Sequence, residues 1–215
     1  MKEPVQISIE RPTLTVPTIE QVYYEVVFSS RIEVLSRLLD TGKIKMGLVF
    51  ANTKKVVDDV VDGLTARGYP VDRLHGDMPQ MMRERVMDSF RKGSLRLLVA
   101  TDIAARGLDV DDLTHVINYG LPDEVESYTH RRGRTGRAGK TGISISICHV
   151  KEKGKIREIE RIINKKFEKG EMPTGHAICE KQLFNLVDQI EKVKVNEEEI
   201  ASLMPQIYRK LEWLG

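Results

Sequence analysis

The sequence predicts an α/β domain, a mostly parallel sheet with helices on both faces, followed by a short helical extension. Two observations carry this expectation. Short apolar runs alternate with segments whose apolar residues recur at helical spacing, the rhythm of successive βα units. Several of those runs are also continuous rather than alternating, as in strands covered on both faces.

Taken in order, residues 1–21 hold three prolines and little periodicity and read as a linker between domains. Val22–Phe28 is strand-like. Ser30 and Glu33 have the form of a capping box, in which each side chain accepts from the other's end of the first helical turn. Ile32, Leu35, Leu38 and Leu39 then form an apolar helical face that Gly42 is placed to end. Met46–Ala51 is a buried-type strand. Val56, Val57, Val60, Val61 and Leu64 mark the next helix, ending near Gly68. Val71–His75 is a short strand. Pro79–Arg91 is a helix with Met82, Val86, Met87 and Phe90 on one face. Leu95–Ala100, His115–Tyr119 and Gly142–Cys148 are further strands. The domain is expected over residues 22–170, and residues 171–215 form the extension. Its two apolar stripes are Leu183, Leu186, Val187 and Ile190, then Ile200, Leu203, Met204, Ile207 and Leu211. The pattern stops within a helical stretch, as in a piece of a longer protein.

Composition narrows the classes. With 40% apolar and 31% charged residues and 215 in all, the chain reads as a globular protein large enough to bury a core. The formal charge of +2 is no global nucleic-acid footprint, so any site for a polyanion must focus its cations locally. Two cysteines, Cys148 and Cys179, show no metal spacing, and the few thiols fit a reducing cytoplasm. No apolar run is long enough for a membrane span and no signal peptide is visible.

In parallel sheets ligands gather at the carboxyl ends of the strands, which directs attention to the loops after Ala51, His75, Ala100 and Tyr119. The most unusual stretch lies beyond the last of these. Arg131 to Gly139 packs four arginines and three glycines into nine residues. Its Gly139-Lys140-Thr141 ending imitates a phosphate-binding P-loop. However, five residues rather than four separate Gly133 from Gly139, and the segment precedes a strand instead of following one. Clustered like charges and glycines disfavour a helix. Arg131, Arg134 and Arg137, three apart, are instead expected to converge on one space, where planar guanidinium groups suit a polyphosphate.

At this point the residues carry a resemblance. His130-Arg131-Arg132-Gly133-Arg134-Thr135-Gly136-Arg137 resembles motif VI of the DEAD-box helicases, with Arg132 in place of the usual isoleucine. The Arg132 stem is expected to pack and its head to reach solvent. Ala100-Thr101-Asp102-Ile103-Ala104-Ala105-Arg106-Gly107-Leu108-Asp109-Val110 is similar to motif V. Val49–Thr53 resembles motif IV. His75–Gln80 with Arg83 resembles the Gln-x-x-Arg element, and Asn118–Pro122 matches the turn between motifs V and VI. On their own, Asn52 and Thr53 are a strand end and a helix cap, and Gln80 and Arg83 are helix-surface residues.

The resemblance implies the C-terminal RecA-like domain of an ATP-dependent RNA helicase, of the bacterial cold-shock or heat-resistant type with a helical extension. It implies that Arg134 and Arg137 reach a γ-phosphate, and that His130 and Arg131 bridge to an acidic motif of a preceding RecA-like domain. Asp109 would accept from a ribose hydroxyl, with Arg106 and Gly107 beside it. Thr101, Gln80, Arg83, Gly76, Asn52 and Thr53 would meet the RNA sugar-phosphate backbone. ATP with Mg²⁺ would be held mainly by the preceding domain, because Asp123-Glu124-Val125-Glu126 is a helix start rather than the acidic motif. Alone, the chain is expected to be inactive as an ATPase. A non-catalytic scaffold is the alternative. Residues 181–215, with five basic and six acidic residues, make a poor RNA-binding tail. Their apolar stripes are left to pack in cis, to pair two copies of the chain, or to bind another protein.

Overall fold

In a computed structural model, residues 19–106, 108, 110, 113–137, 140–192 and 204–212 are described. The chain divides into two compact units, one through Pro173 and one from Thr174.

The first unit is a seven-stranded sheet in which every pairing is parallel. Its strands are β1 (Ile19–Val26), β2 (Gly47–Phe50), β3 (Val71–Leu74), β4 (Leu97–Ala100), β5 (His115–Asn118), β6 (Gly142–His149) and β7 (Glu168–Lys169). Their order across the sheet is β3-β4-β2-β5-β6-β1-β7. Strands β2, β4 and β5 are buried along their whole length, which is why β2 and β4 read as unbroken apolar runs, while β5 buries His115 and Asn118 at its two ends.

The helices are α1 (Arg31–Asp40), α2 (Lys54–Thr65), α3 (Gln80–Arg91), α4 (Asp102–Ala105), α5 (Val125–Arg132) and α6 (Lys153–Ile163). The chain moves outward from β2 to β3 and back from β3 to β4. Right-handed crossovers therefore place α2 and α3 on opposite faces. The core divides accordingly. Val49, Val99, Ile117 and Ile145 pack with Leu35 and Leu38 of α1 and Val57, Val60 and Leu64 of α2. Their strand neighbours Leu48, Phe50, Leu98 and Val116 pack with Val86, Met87 and Phe90 of α3 and Ala104 and Ala105 of α4. A third cluster joins Tyr128 of α5 to Ile156 and Ile159 of α6, with Leu121, Cys148 and Phe167.

Several local expectations are corrected. β1 begins at Ile19 and ends at Val26, so Val27 and Phe28 leave the strand, and Phe28–Ser30 forms a 3₁₀ turn. That turn runs straight into α1. Ser30 is thus already helical at φ −97° and makes no capping bond, so the capping box does not form. Gly42 does close α1, at φ 69°. Met82 is 42% exposed, because the first turn of α3 stands clear of the sheet and burial begins at Val86. The charged stretch 151–169 hides α6 and the two-residue β7, which pairs beside Val22 and Tyr23.

The second unit contains α7 (Gly175–Lys192) and α8 (Met204–Glu212). Thr174 caps α7 by accepting from Ala177 N at 3.2 Å. Leu183, Phe184, Leu186 and Val187 on α7, and Ile207 and Tyr208 on α8, are exposed. Ile200 and Leu203 of the expected stripe lie outside the described residues.

His115, at the start of β5, is buried with Nδ1 2.9 Å from Thr114 Oγ1. Burial, and secondarily the Lys43 charge, push its pKa down to about 4. The unfolded chain takes up this proton from about pH 6.5 downward, while the folded chain stays neutral to about pH 4. Stability is therefore lost as the pH falls through that window. Urea unfolding of the chain is expected to show a loss of the order of 3 kcal/mol, at about 1.4 kcal/mol per pKa unit, over and above the same titration of His115→Asn.

Candidate functional site

The carboxyl ends of three adjacent strands, β4, β2 and β5, converge on one side chain. Arg131 is 1% exposed. Its Nε and one Nη donate to the two Asp102 carboxylate oxygens, each at 2.7 Å. The same Nη donates to Asn52 Oδ1 at 2.8 Å. The other Nη donates to Asn118 Oδ1 at 3.2 Å and to the Gly120 carbonyl at 3.3 Å. All five N–H donors of the guanidinium are taken, and its carbon lies 5.2 Å from the centre of the Phe50 ring. Asn52 in turn donates to the Leu121 carbonyl at 3.0 Å. Arg131, expected to bridge to a preceding domain, is engaged first within its own. Its hydrogen bonds are all internal, and it ties the turn after β2, the start of α4 and the turn after β5 to α5.

Beside this knot opens a cleft of about 250 Å³, walled by Phe50, Asp102, Arg106, Ser127, His130 and Arg134 among others. His130 and Arg106 are exposed on it. α5 ends at Arg132, so the spacing of three is not helical beyond that point. Arg132 itself is half-buried. The loop turns through Gly136 in the left-handed region, at φ 67°, and the Thr135 hydroxyl donates to the Leu113 carbonyl. This bend carries Arg137 away from the cleft to a smaller hollow of about 140 Å³, lined by Arg134, Arg137, Lys140, Thr114 and Thr141 among others. The three arginines therefore do not converge. Arg131 turns inward, Arg134 stands on the wall between the two hollows, and Arg137 faces only the second.

Arg134 donates to the Leu108 carbonyl at 3.4 Å, and Arg137 to the Gly133 carbonyl at 3.0 Å. Burial first and the Arg137 charge second lower the Arg134 pKa from its ordinary value, so an anion at this wall would relieve a local excess of positive charge. Asp109 and Gly107 lie outside the described residues. Among the described residues, no group of three or more His, Cys, Asp or Glu is placed to hold a metal. The donors present, guanidinium and hydroxyl, fit the phosphate end of a nucleotide rather than its Mg²⁺.

The remaining candidates lie along the carboxyl ends of β3, β4 and β2. Thr101 follows β4, half-buried and extended at ψ 159°. Arg83, on the first turn of α3, donates to the Ala104 carbonyl of α4 at 3.3 Å and so stands near it. Gln80, exposed, donates to Glu84 at 2.8 Å. Gly76 sits in the exposed turn after β3. Asn52 is engaged by Arg131, and Thr53 caps α2 by accepting from Val56 N at 3.3 Å. Sequence reasoning missed Lys54. It pairs with Asp77 and approaches Gly76, and its only signal was its place directly after the motif IV threonine. Asp102 and Asn118 were also missed as partners of Arg131, although both stand inside the matched segments.

Comparison with known proteins shows the family. A family model described as the helicase conserved C-terminal domain matches residues 30–139. A second, described as the helical domain of a probable ATP-dependent RNA helicase, matches residues 178–215. The DEAD-box ATP-dependent RNA helicase CshA of Bacillus cereus is 40% identical over 197 residues, which are 92% of this chain and 38% of that protein. The chain thus spans about two fifths of the curated relatives it matches. Among solved structures, a DEAD box protein from Methanococcus jannaschii shares 46% identity at a TM-score of 0.66, covering 72% of this chain and 42% of that one. Dbp5 of S. cerevisiae, bound to RNA and ADP BeF3, shares 32% identity at a TM-score of 0.68 with the same coverage of 72% and 42%.

The two kinds of arginine should separate in a stability measurement. Arg131→Ala leaves the buried Asn118 oxygen unpaired, while Asp102 and Asn52 can turn to water, and is expected to cost about 2–3 kcal/mol in urea unfolding. Arg137→Ala removes one exposed bond to its own loop and should stay within about 0.5 kcal/mol of the parent.

Proposed function

The chain belongs to the helicase conserved C-terminal domain family, as a domain of the DEAD-box RNA helicases, and on that premise we propose that it is one half of an ATP-driven RNA-remodelling site. The observation that carries the proposal is the division of labour within one short segment. Arg131 is locked inside the domain, and the loop it anchors presents Arg134 and Arg137 outward.

Arg134 and Arg137 are the groups that meet the terminal phosphate of a nucleotide held mainly by a preceding RecA-like domain. His130 and Arg106, exposed on the larger cleft, face that domain, while Arg131 holds the segment in place. Asp109, with Gly107 beside it, takes the ribose. ATP with Mg²⁺, held mainly by the preceding domain, would supply the transferring phosphoryl group and a charge-neutralising cation. The contribution of this chain is to neutralise charge as the bond to the leaving group breaks.

Thr101, Arg83, Gln80 and Gly76, with Lys54 added, contact the RNA backbone. Such contacts position a strand without reading its bases. The RNA-bound Dbp5 neighbour supports this reading, as does the clustering of these residues along three adjacent strand ends. Asn52 and Thr53 act there by shaping the turn. The full-length protein works in the cytoplasm, and no helix among the described residues is long and apolar enough to cross a membrane.

A second reading concerns the helical unit. Leu183, Phe184, Leu186 and Val187 form an exposed apolar stretch on α7. Isolated polar-faced helices do not leave such surface in water without a partner, and we assign it to pairing of two copies of the chain.

Three outcomes test these readings. The chain alone should show no RNA-stimulated ATP turnover. In the full-length protein, Arg137→Ala should lower turnover by about 10³-fold or more, the scale of an arginine supplied to a transferring phosphoryl group; parental turnover would remove Arg137 from this role. Light scattering over a range of concentrations should show a dimer that Leu183→Glu with Val187→Glu dissociates, and a mass that stays monomeric would remove the pairing.

A further inference from the structure

Helix α5 is eight residues long, and its N-cap, Glu124, makes no side-chain capping bond. A helix this short has little stability of its own. It is held to the domain by two buried side chains, Tyr128 and Arg131. They stand three apart and so share a face. Arg131 is bonded into the strand ends described above. Tyr128 is fully buried, with its ring in the cluster of Leu121, Ile156, Ile159 and Phe167.

A ring among aliphatic side chains holds a helix down but fixes neither its rotation nor its height, because apolar contact is not directional. The hydroxyl supplies direction. It donates to Gln21 Oε1 and lies 3.1 Å from Ser144 Oγ. Gln21 and Ser144 are register partners across the β1–β6 ladder, so they form a two-pronged seat on one face of the sheet. Both are buried, and the Gln21 amide nitrogen is turned to the Ile19 carbonyl at 3.2 Å. Burial also pushes the Tyr128 pKa up to about 12, so the group is a neutral donor throughout the working range.

We infer that the Tyr128 hydroxyl, seated between Gln21 and Ser144, is a positioning group that sets the rotation and height of α5, and through them His130, Arg134 and the loop leading to Arg137. With Arg131 bonded at the ends of β4, β2 and β5 and Tyr128 seated on β1 and β6, the helix is fixed at two points. The catalytic readout of this inference rests on the function proposed above; the structural readout does not.

The test uses two variants. Tyr128→Phe keeps the ring and removes the hydroxyl, leaving Gln21 Oε1 buried and unpaired. Tyr128→Phe with Gln21→Leu replaces both ends of the donated bond by apolar groups of similar shape and leaves only the Ser144 hydroxyl, which restores part of the lost stability. Amide hydrogen exchange of the chain is the first measurement. Both variants should lose protection over 126–132 by about tenfold or more, while β2 and β4 in the double variant match the parent. RNA-stimulated turnover of the full-length protein is the second. In both variants kcat should fall roughly tenfold, the scale of a small misplacement at a reacting centre, with the KM for RNA within about twofold of the parent. If the double variant regains parental unfolding, α5 protection and kcat together, the hydroxyl acts only through stability and the inference is overturned. A loosened α5 with parental kcat overturns it as well. Arg137→Ala run in parallel keeps the two proposals apart: parental turnover in that variant counts against the phosphate role of the loop, and the exchange data still decide on Tyr128.

Discussion

A single buried guanidinium organises the working end of this domain. Arg131 gathers the turn after β2, the first residue of α4 and the turn after β5 onto α5, and no donor of its fork is left over. An isolated charge taken from water at this depth is costly. Here the cost is offset by a bidentate carboxylate, two amide oxygens, a carbonyl and an aromatic face. Asp102 keeps 34% of its side chain exposed, so the pair is sealed on its cationic side and wet on its anionic side. The strand ends are thereby held at fixed separations, which a loop-built site otherwise lacks.

That constraint explains how neighbouring arginines come to differ so much in fate. Side chains on α5 point where the helix dictates, and Arg131 points inward. Past Arg132 the helix is over, and the Gly136 turn redirects the chain so that Arg137 lines only the smaller hollow while Arg134 borders both. A basic, glycine-punctuated segment is thus divided into an architectural part and a presented part.

Much of this was legible in the sequence. The unbroken apolar runs of β2 and β4 announced strands buried on both faces, and the helical spacing in α2 marked its core face, with Val57, Val60, Val61 and Leu64 buried and Val56 at its edge. The family resemblance rested on motifs that the fold places at adjacent strand ends. What was hidden depended on three dimensions. The convergence expected of Arg131, Arg134 and Arg137 assumed one regular backbone and failed where the helix stopped. The Ser30 cap failed because a 3₁₀ turn, which leaves no pattern in sequence, had already made that residue helical. Asp102 and Asn118 carried no mark of their role, since their partner lies far along the chain. β7 was missed because two charged residues give no period to read.

That small seventh strand has a bearing on how the molecule behaves in company. A parallel sheet has two open margins whose unpaired amides and carbonyls invite strands from other molecules. On the β1 side, Glu168 and Lys169 cover Val22 and Tyr23, and both are exposed. Lys169, together with Lys153, is tied to Glu25 of β1, which clips the flap in place. An incoming strand would find a template two residues long bearing both signs of charge. On the far margin, β3 offers only four residues, with Arg73 leashed to Asp58 and Asp62. Both borders of the sheet are therefore kept short and ionic, which guards the sheet against fibrous self-association.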